Sequence, residues 1–123
     1  MLSGLGHDLV ALSGIEGAQE LRQPGVFFTE AEHEHVARAT EPLVSLAGLF
    51  AAKEAFFKAV PQARGAYWTD IEVTHGAHGG PSFRLHGRLQ QVAEQQGLRV
   101  HLSISHDGDY ASAVVVAERA GAA

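Results

Sequence analysis

The chain contains no cysteine in its 123 residues, which excludes disulfide staples, thiolate catalysis and thiolate zinc sites together. Oxygen and imidazole are left as the metal ligands. Nothing approaches the run of roughly 18 apolar residues that would span a membrane. Met1-Leu2-Ser3-Gly4 has neither the basic nor the apolar region of a secretion signal, so a cytoplasmic address is expected. Positive charge is scarce as well. Nine Lys and Arg against fourteen Asp and Glu give a net charge of −5, and no basic stripe with interleaved aromatics appears, which argues against a nucleic-acid partner. No internal repeat, low-complexity segment or linker interrupts the sequence. One domain over residues 1–123 is expected, large enough to bury about two thirds of its unfolded surface.

What is present centres on Leu46–Val60. At 100° per residue, Leu46, Leu49, Phe50, Phe56, Phe57 and Val60 fall on one broad apolar stripe, the pattern of a core-facing helix. Lys53 lies in the middle of that stripe. An unpaired buried ammonium costs several kcal/mol, so it must snorkel out, meet a carboxylate or meet an anionic ligand. Glu54 and Lys58 lie on the flank one turn apart, which is either an ordinary solvated i,i+4 pair or part of a site.

Before this helix, Leu2–Leu12 reads as a strand, with Gly4 and Gly6 allowing another backbone or a ligand to come close. Asp8 is set among Leu5, Leu9, Val10 and Leu12, where aspartate is depleted. It is either a bend residue or a carboxylate held on a rigid element for a purpose. Ser13–Arg22 reads as a weak helix, and Thr29-Glu30-Ala31-Glu32 as a capping box opening another. Pro42 suits the first turn of the long helix, which stops at Pro61.

Beyond Trp68, alternation over Asp70–Val73 and Ser82–Leu85 around a turn at His75–Gly80 predicts a β-hairpin. Leu89, Val92 and Ala93 mark a helix closed by Gly97. Arg99–Ser105 alternates strictly, His106–Asp109 reads as a tight turn, and Tyr110–Ala117 as a central strand. The tail from Arg119 onward reads as frayed. The order predicts an α+β fold with a mostly antiparallel sheet packed against a long helix. The eight histidines are spread over several elements without the paired spacing of zinc sites, so they read as surface groups.

If Asp8 and Glu54 face each other, two hard carboxylates favour Mg²⁺, which takes its remaining ligands from water and substrate phosphates. Lys53 and Lys58 would supply point charges for such a ligand, and Ser105 with His106 further donors. The residues suggest metal-assisted phosphoryl or phosphodiester chemistry.

Gly6-His7-Asp8, Phe50-Ala51-Ala52-Lys53-Glu54-Ala55 with Lys58, Trp68–Val73, Gly80-Pro81 with Leu85-His86-Gly87, and Leu102–His106 with Tyr110-Ala111 together resemble the bacterial holo-acyl-carrier-protein synthases. These are the short members of the 4′-phosphopantetheinyl transferase superfamily. The resemblance implies Mg²⁺-dependent transfer of 4′-phosphopantetheine from coenzyme A to a serine of an apo acyl carrier protein, releasing adenosine 3′,5′-bisphosphate. It implies that Asp8 and Glu54 hold Mg²⁺, that Lys58 neutralises phosphate charge and that Lys53 lines the same pocket. Ser105 and His106 would contact the adenosine 3′-phosphate end, and the assembly would be a homotrimer with its active site between protomers. The sequence departs from the family where Leu49 and Gly14 replace arginines, and where Pro61–Gly65 replaces a glycine-rich turn. Arg38 and Arg64 are the cations that could compensate. A non-catalytic homologue serving as a carrier-binding module is the alternative from another class.

Overall fold

The computed structural model describes residues 1–77 and 80–120. Strand β1 (Leu2–Ala11) leads into a short helix α1 (Leu12–Ile15), followed by α2 (Glu30–Arg38) and the long α3 (Pro42–Ala59). A β-ribbon of β2 (Ile71–His75) and β3 (Pro81–Leu85), helix α4 (Gly87–Gln96) and strands β4 (Leu98–Asp107) and β5 (Tyr110–Arg119) complete the order. All pairings within the sheets are antiparallel, but the sheet is in two parts. One is three-stranded in the order β1-β5-β4, and the other is the β2-β3 ribbon. The expected α+β arrangement is therefore found.

Helix α3 is the hub, and its packing differs from the one-sided stripe expected. Leu46, Ala47, Gly48, Leu49, Ala51, Ala52, Lys53, Ala55, Phe56 and Ala59 are all buried, so the helix is enclosed on most of its circumference. Alanine and glycine on the face away from the large residues let strands approach closely. On β1, a Cβ at Gly6 would overlap the Ala55 carbonyl oxygen, and one at Gly4 would overlap that of Ala59. Absence of a side chain at these two positions thus sets the distance between strand and helix. Phe56, wholly buried, meets Phe83 of the ribbon edge-on at 4.9 Å between ring centroids. Burial of such a ring contributes about 1.5–3 kcal/mol.

Local signals set the ends of several elements. Thr29 and Glu32 form the reciprocal capping box of α2. Pro42 occupies the first turn of α3, and Gly97 closes α4 in the left-handed region at φ 60°.

Other boundaries moved. The segment read as one weak helix over Ser13–Arg22 is split into α1 and a 3₁₀ turn at Gln19–Arg22, with Gly17, a poor helix former, in the gap between them. The turn expected at His106–Asp109 is shorter, since His106 and Asp107 still pair with Ala111 and Tyr110. Arg119 belongs to β5 rather than to a frayed tail, for its amide donates to the Met1 carbonyl at 2.9 Å. Positions 78 and 79 of the expected hairpin turn, and 121–123 of the tail, lie outside the described residues.

Candidate active site

Strand alternation puts Gly4, Gly6, Asp8 and Val10 on the face of β1 that meets α3. Asp8 is thereby aimed at the helix where Glu54 and Lys58 emerge. The Lys58 ammonium donates to Asp8 Oδ1 and to the His7 carbonyl, both at 3.0 Å. Asp8 is largely enclosed, with 15% of its side chain accessible, whereas Lys58 is 53% accessible and open to a ligand. Burial pushes the Glu54 carboxyl above its ordinary range, the Asp8 carboxylate pushes the same way, and Lys58 opposes both. The three groups are one electrostatic unit, brought together from elements far apart in the chain. The Glu54–Lys58 spacing is accordingly more than a solvated helix pair.

Beside this unit opens a cleft of about 650 Å³ lined by Glu54, Phe57, Lys58, Arg64, Gly65 and Trp68 among others. Arg64 adds a second cation to it. Trp68 forms an aromatic wall, in contact with Phe27 at 5.1 Å, Phe57 at 5.0 Å and Phe50 at 5.7 Å between centroids.

Lys53 is not in the cleft. It has no accessible surface and is paired with the equally inaccessible Glu32 at 2.6 Å, also donating to the carbonyls of Phe27 and Trp68. Of the fates open to a lysine on an apolar face, it meets a carboxylate, and its expected role as a pocket-lining charge is corrected to a structural one. Burial draws Lys53 below the ordinary lysine range, and Glu32 pulls it back. Glu32 is saturated in turn, accepting from the amides of Thr29 and Val73 at 2.8 and 2.9 Å. Through the Trp68 carbonyl, Lys53 holds the wall of the cleft one residue away from Glu54.

Ser105 and His106 are not brought together either. Successive residues of a strand point to opposite faces. Ser105 lies on the outer face of the three-stranded sheet, in register with Ser112. His106 points inward, into a second groove of about 450 Å³ that also involves His35, Glu41, Ser45, His75 and Pro81. Leu49 is 2% exposed and lines this groove from α3. Among the described residues, none lines both the cleft and the groove. The stacked rings of His35 and His75, 40 positions apart, gave no sequence signal, because stacking requires the fold that unites α2 with the ribbon.

The description of the 4′-phosphopantetheinyl transferase superfamily matches residues 4–115, and the chain belongs to that superfamily. A holo-[acyl-carrier-protein] synthase of Clavibacter sepedonicus is 42% identical over 126 residues, covering 99% of this chain and 100% of the relative. Among solved structures, the Chronobacterium ammoniagenes ACPS-CoA complex shares 33% identity at a TM-score of 0.78, over 96% of this chain and 98% of that one. The holo-(acyl-carrier-protein) synthase from Bacillus anthracis, in complex with CoA (3′,5′-ADP), shares 30% identity at a TM-score of 0.78, over 98% and 99%. Likeness over the full length makes the chain an enzyme of the holo-acyl-carrier-protein synthase type within the superfamily.

Proposed function

We propose that this enzyme transfers 4′-phosphopantetheine from coenzyme A to a serine of an apo acyl carrier protein in a Mg²⁺-dependent reaction that releases adenosine 3′,5′-bisphosphate. The observation that carries the reading is the convergence of Asp8, Glu54 and Lys58 beside the cleft. A coenzyme A complex of one relative and a CoA (3′,5′-ADP) complex of another support the choice of substrate.

The donor set suits the metal. Asp8 and Glu54 are hard oxygen ligands close enough for one to perturb the other, a repulsion that a divalent cation would relieve. Among the described residues no cluster of three or more His, Asp or Glu could hold a metal, so phosphate and water would supply the remaining ligands. Bound Mg²⁺ would neutralise pyrophosphate charge.

The protein groups do the rest. Lys58 and Arg64 offer positive charge along the cleft, where it can meet charge growing on the bridging oxygen as the phosphorus–oxygen bond to the adenosine bisphosphate breaks. The serine oxygen bonds to the phosphorus that carries pantetheine, and its proton leaves to Glu54, the one carboxylate among the cleft's lining residues. Trp68 and Phe57 supply an apolar wall that limits water.

A homotrimer with shared sites is part of the same reading. Leu5, Leu9, Tyr110 and Val114 are exposed on the outer sheet face, an apolar surface suited to covering by a second copy. Cleft and groove meet α3 through different residues, Glu54, Phe57 and Lys58 against Val44, Ser45, Gly48 and Leu49. One coenzyme A would then use the cleft of one copy and the groove of its neighbour. A cytoplasmic location follows from the same substrate pair, and among the described residues no helix is long and apolar enough to cross a membrane.

The test is incubation with coenzyme A, Mg²⁺ and a panel of apo carrier proteins, reading the phosphopantetheine adduct by mass spectrometry. Asp8→Asn and Glu54→Gln are expected to lower kcat/KM by at least about 100-fold with the fold retained. Wild-type rates in either variant would refute the assignment.

A further inference from the structure

Three ionisable side chains are buried together where α2, α3 and the ribbon meet, and their charges do not balance. Lys53 brings one ammonium, whereas Glu32 and Glu72, 1% and 8% exposed, bring two carboxylates. Thr29 joins the two acids. Its hydroxyl donates to Glu72 Oε2 at 2.8 Å and accepts from the Glu32 amide at 3.2 Å. The other Glu72 oxygen meets His86 Nε2 at 3.0 Å. That ring is 43% accessible and lines neither cleft nor groove, so the transfer chemistry makes no direct use of it.

We propose that His86 is a positioning residue for the cleft: as imidazolium it balances the second carboxylate, Glu72, and so leaves Lys53 free to hold the Trp68 carbonyl. The ring touches no substrate and acts through the wall that Trp68 gives the cleft. Its effect on coenzyme A binding rests on the transferase reading given above, and its effect on the wall does not.

Lys53 has three acceptors. Glu32 Oε1 is at 2.6 Å, the Phe27 carbonyl at 2.8 Å and the Trp68 carbonyl at 3.1 Å, so the bond to Trp68 is the longest and the first to yield. Burial lowers the proton affinity of Lys53 and both carboxylates raise it, so the field of Glu72 reaches the ammonium without a direct bond. Burial likewise opposes charge on Glu72, but the hydrogen bonds from His86 and Thr29 outweigh it and hold that carboxyl below its ordinary range. Without the imidazolium, two buried anions draw on one cation in a setting that screens them poorly. The ammonium is pulled toward the acids, and the Trp68 carbonyl is released.

The main chain of His86 grips the other end of the same 3₁₀ turn, Trp68–Asp70. Its amide donates to the Asp70 carbonyl at 2.9 Å, and Asp70 Oδ2 accepts from the Tyr67 amide at 3.3 Å. Substituting the ring leaves these bonds in place and isolates its charge. Around the ring stand Arg84 of β3, exposed and in register with Glu72, Arg88 of α4, also exposed, and Asp70, whose carboxylate is taken by the turn. Both arginines keep their charge at every pH of interest, so histidine, which changes charge near neutrality, is the variable member.

Trp68 is the one tryptophan of the chain, so its fluorescence reports the wall directly. Without ligand, acrylamide quenching is expected to rise about twofold between about pH 6 and 8.5, with the midpoint at which the His86 ring titrates in NMR spectra. His86→Gln should be strongly quenched, and His86→Arg weakly quenched, throughout that range. Glu72→Gln removes the excess anion, so it should be weakly quenched at every pH. The double variant Glu72→Gln/His86→Gln should match Glu72→Gln rather than His86→Gln, a rescue that a packing role alone would not give. In calorimetric titration with coenzyme A at about pH 6.5, His86→Gln is expected to lose about fivefold in affinity, recovered in the double variant.

A wild-type Trp68 indifferent to pH, a pH response that survives in His86→Gln, or a double variant no better than His86→Gln would overturn the proposal and leave the transferase reading intact. Quenching as expected with coenzyme A affinity unchanged across the series would equally overturn it, since the wall would then not serve the cleft. Failure of the wild-type protein to bind coenzyme A would count against the transferase reading instead, and the quenching series would decide the role of His86 by itself.

Discussion

Glu54 shows in a single residue how function and stability pull against each other. Its carboxyl is held above the ordinary value of 4.5 by burial first and by Asp8 second. An acid whose folded pKa is raised is disfavoured in its ionised form by folding, so its contribution to stability improves as pH falls through its titration. Metal binding and proton acceptance need the ionised form and change in the opposite direction. At sub-saturating Mg²⁺, where kcat/KM reports the metal-free site, the acid limb of the transfer rate is therefore expected above the ordinary glutamate range. Lys58 is the one influence lowering the Glu54 pKa, so Lys58→Met should move the limb further up in addition to reducing the rate. A pH profile of kcat/KM for both proteins checks this, and a limb that stays put or moves down would remove Lys58 from the electrostatic unit.

Among the elements, α3 carries both the chemistry and the core, and the Lys53–Glu32 pair ties the two. Neither side chain has accessible surface, so removing one leaves the other as an uncompensated buried charge, at a cost of about 3–5 kcal/mol. Lys53→Met and Glu32→Gln are each expected to lower Tm by more than about 10 °C in a chain of this size. The double variant Lys53→Met/Glu32→Gln should recover part of the loss. Thermal denaturation of the four proteins supplies the coupling, and additive effects would show that the pair is not a unit.

The same pair marks where the sequence stops being informative. The capping box Thr29–Glu32 was legible because both partners lie within one turn, as was the closure of α4 by Gly97. That Glu32 also binds Lys53 and the Val73 amide was not, because a carboxylate with a satisfying local role gives no sign of long-range ones. The enclosure of α3 was missed for a related reason. A stripe of large residues draws attention away from Ala47, Ala51, Ala55 and Ala59, whose small size is what admits a strand. Asp8 and Glu54 were legible as misfits, acids set into apolar elements. Ser105 and His106 were legible as a motif, but the opposite directions of their side chains follow from β4 remaining a strand through Asp107.

At the scale of the whole molecule, the three-stranded sheet has two unlike faces. Ala111, Ala113, Val115 and Ala117 of β5 are wholly or almost wholly buried against the core, whereas Leu5 is 70% and Leu9 58% exposed on the other side. An assembly that covers this outer face would bury these side chains, and a charge placed among them should prevent it. Val114→Glu together with Leu5→Asp is expected to convert the proposed trimer to a monomer in analytical ultracentrifugation and to abolish transfer at ordinary concentrations. A fully active monomer would show that each chain is sufficient alone.

Separation of cleft from groove along α3 has a genetic corollary. When each reaction centre draws on two different polypeptides, a lesion at Glu54 and a lesion at His106 need not fall in the same centre. Two inactive preparations, Glu54→Gln and His106→Ala, co-refolded in equal amounts should regain a measurable fraction of wild-type turnover. Mixed oligomers would contain some centres built entirely from undamaged halves.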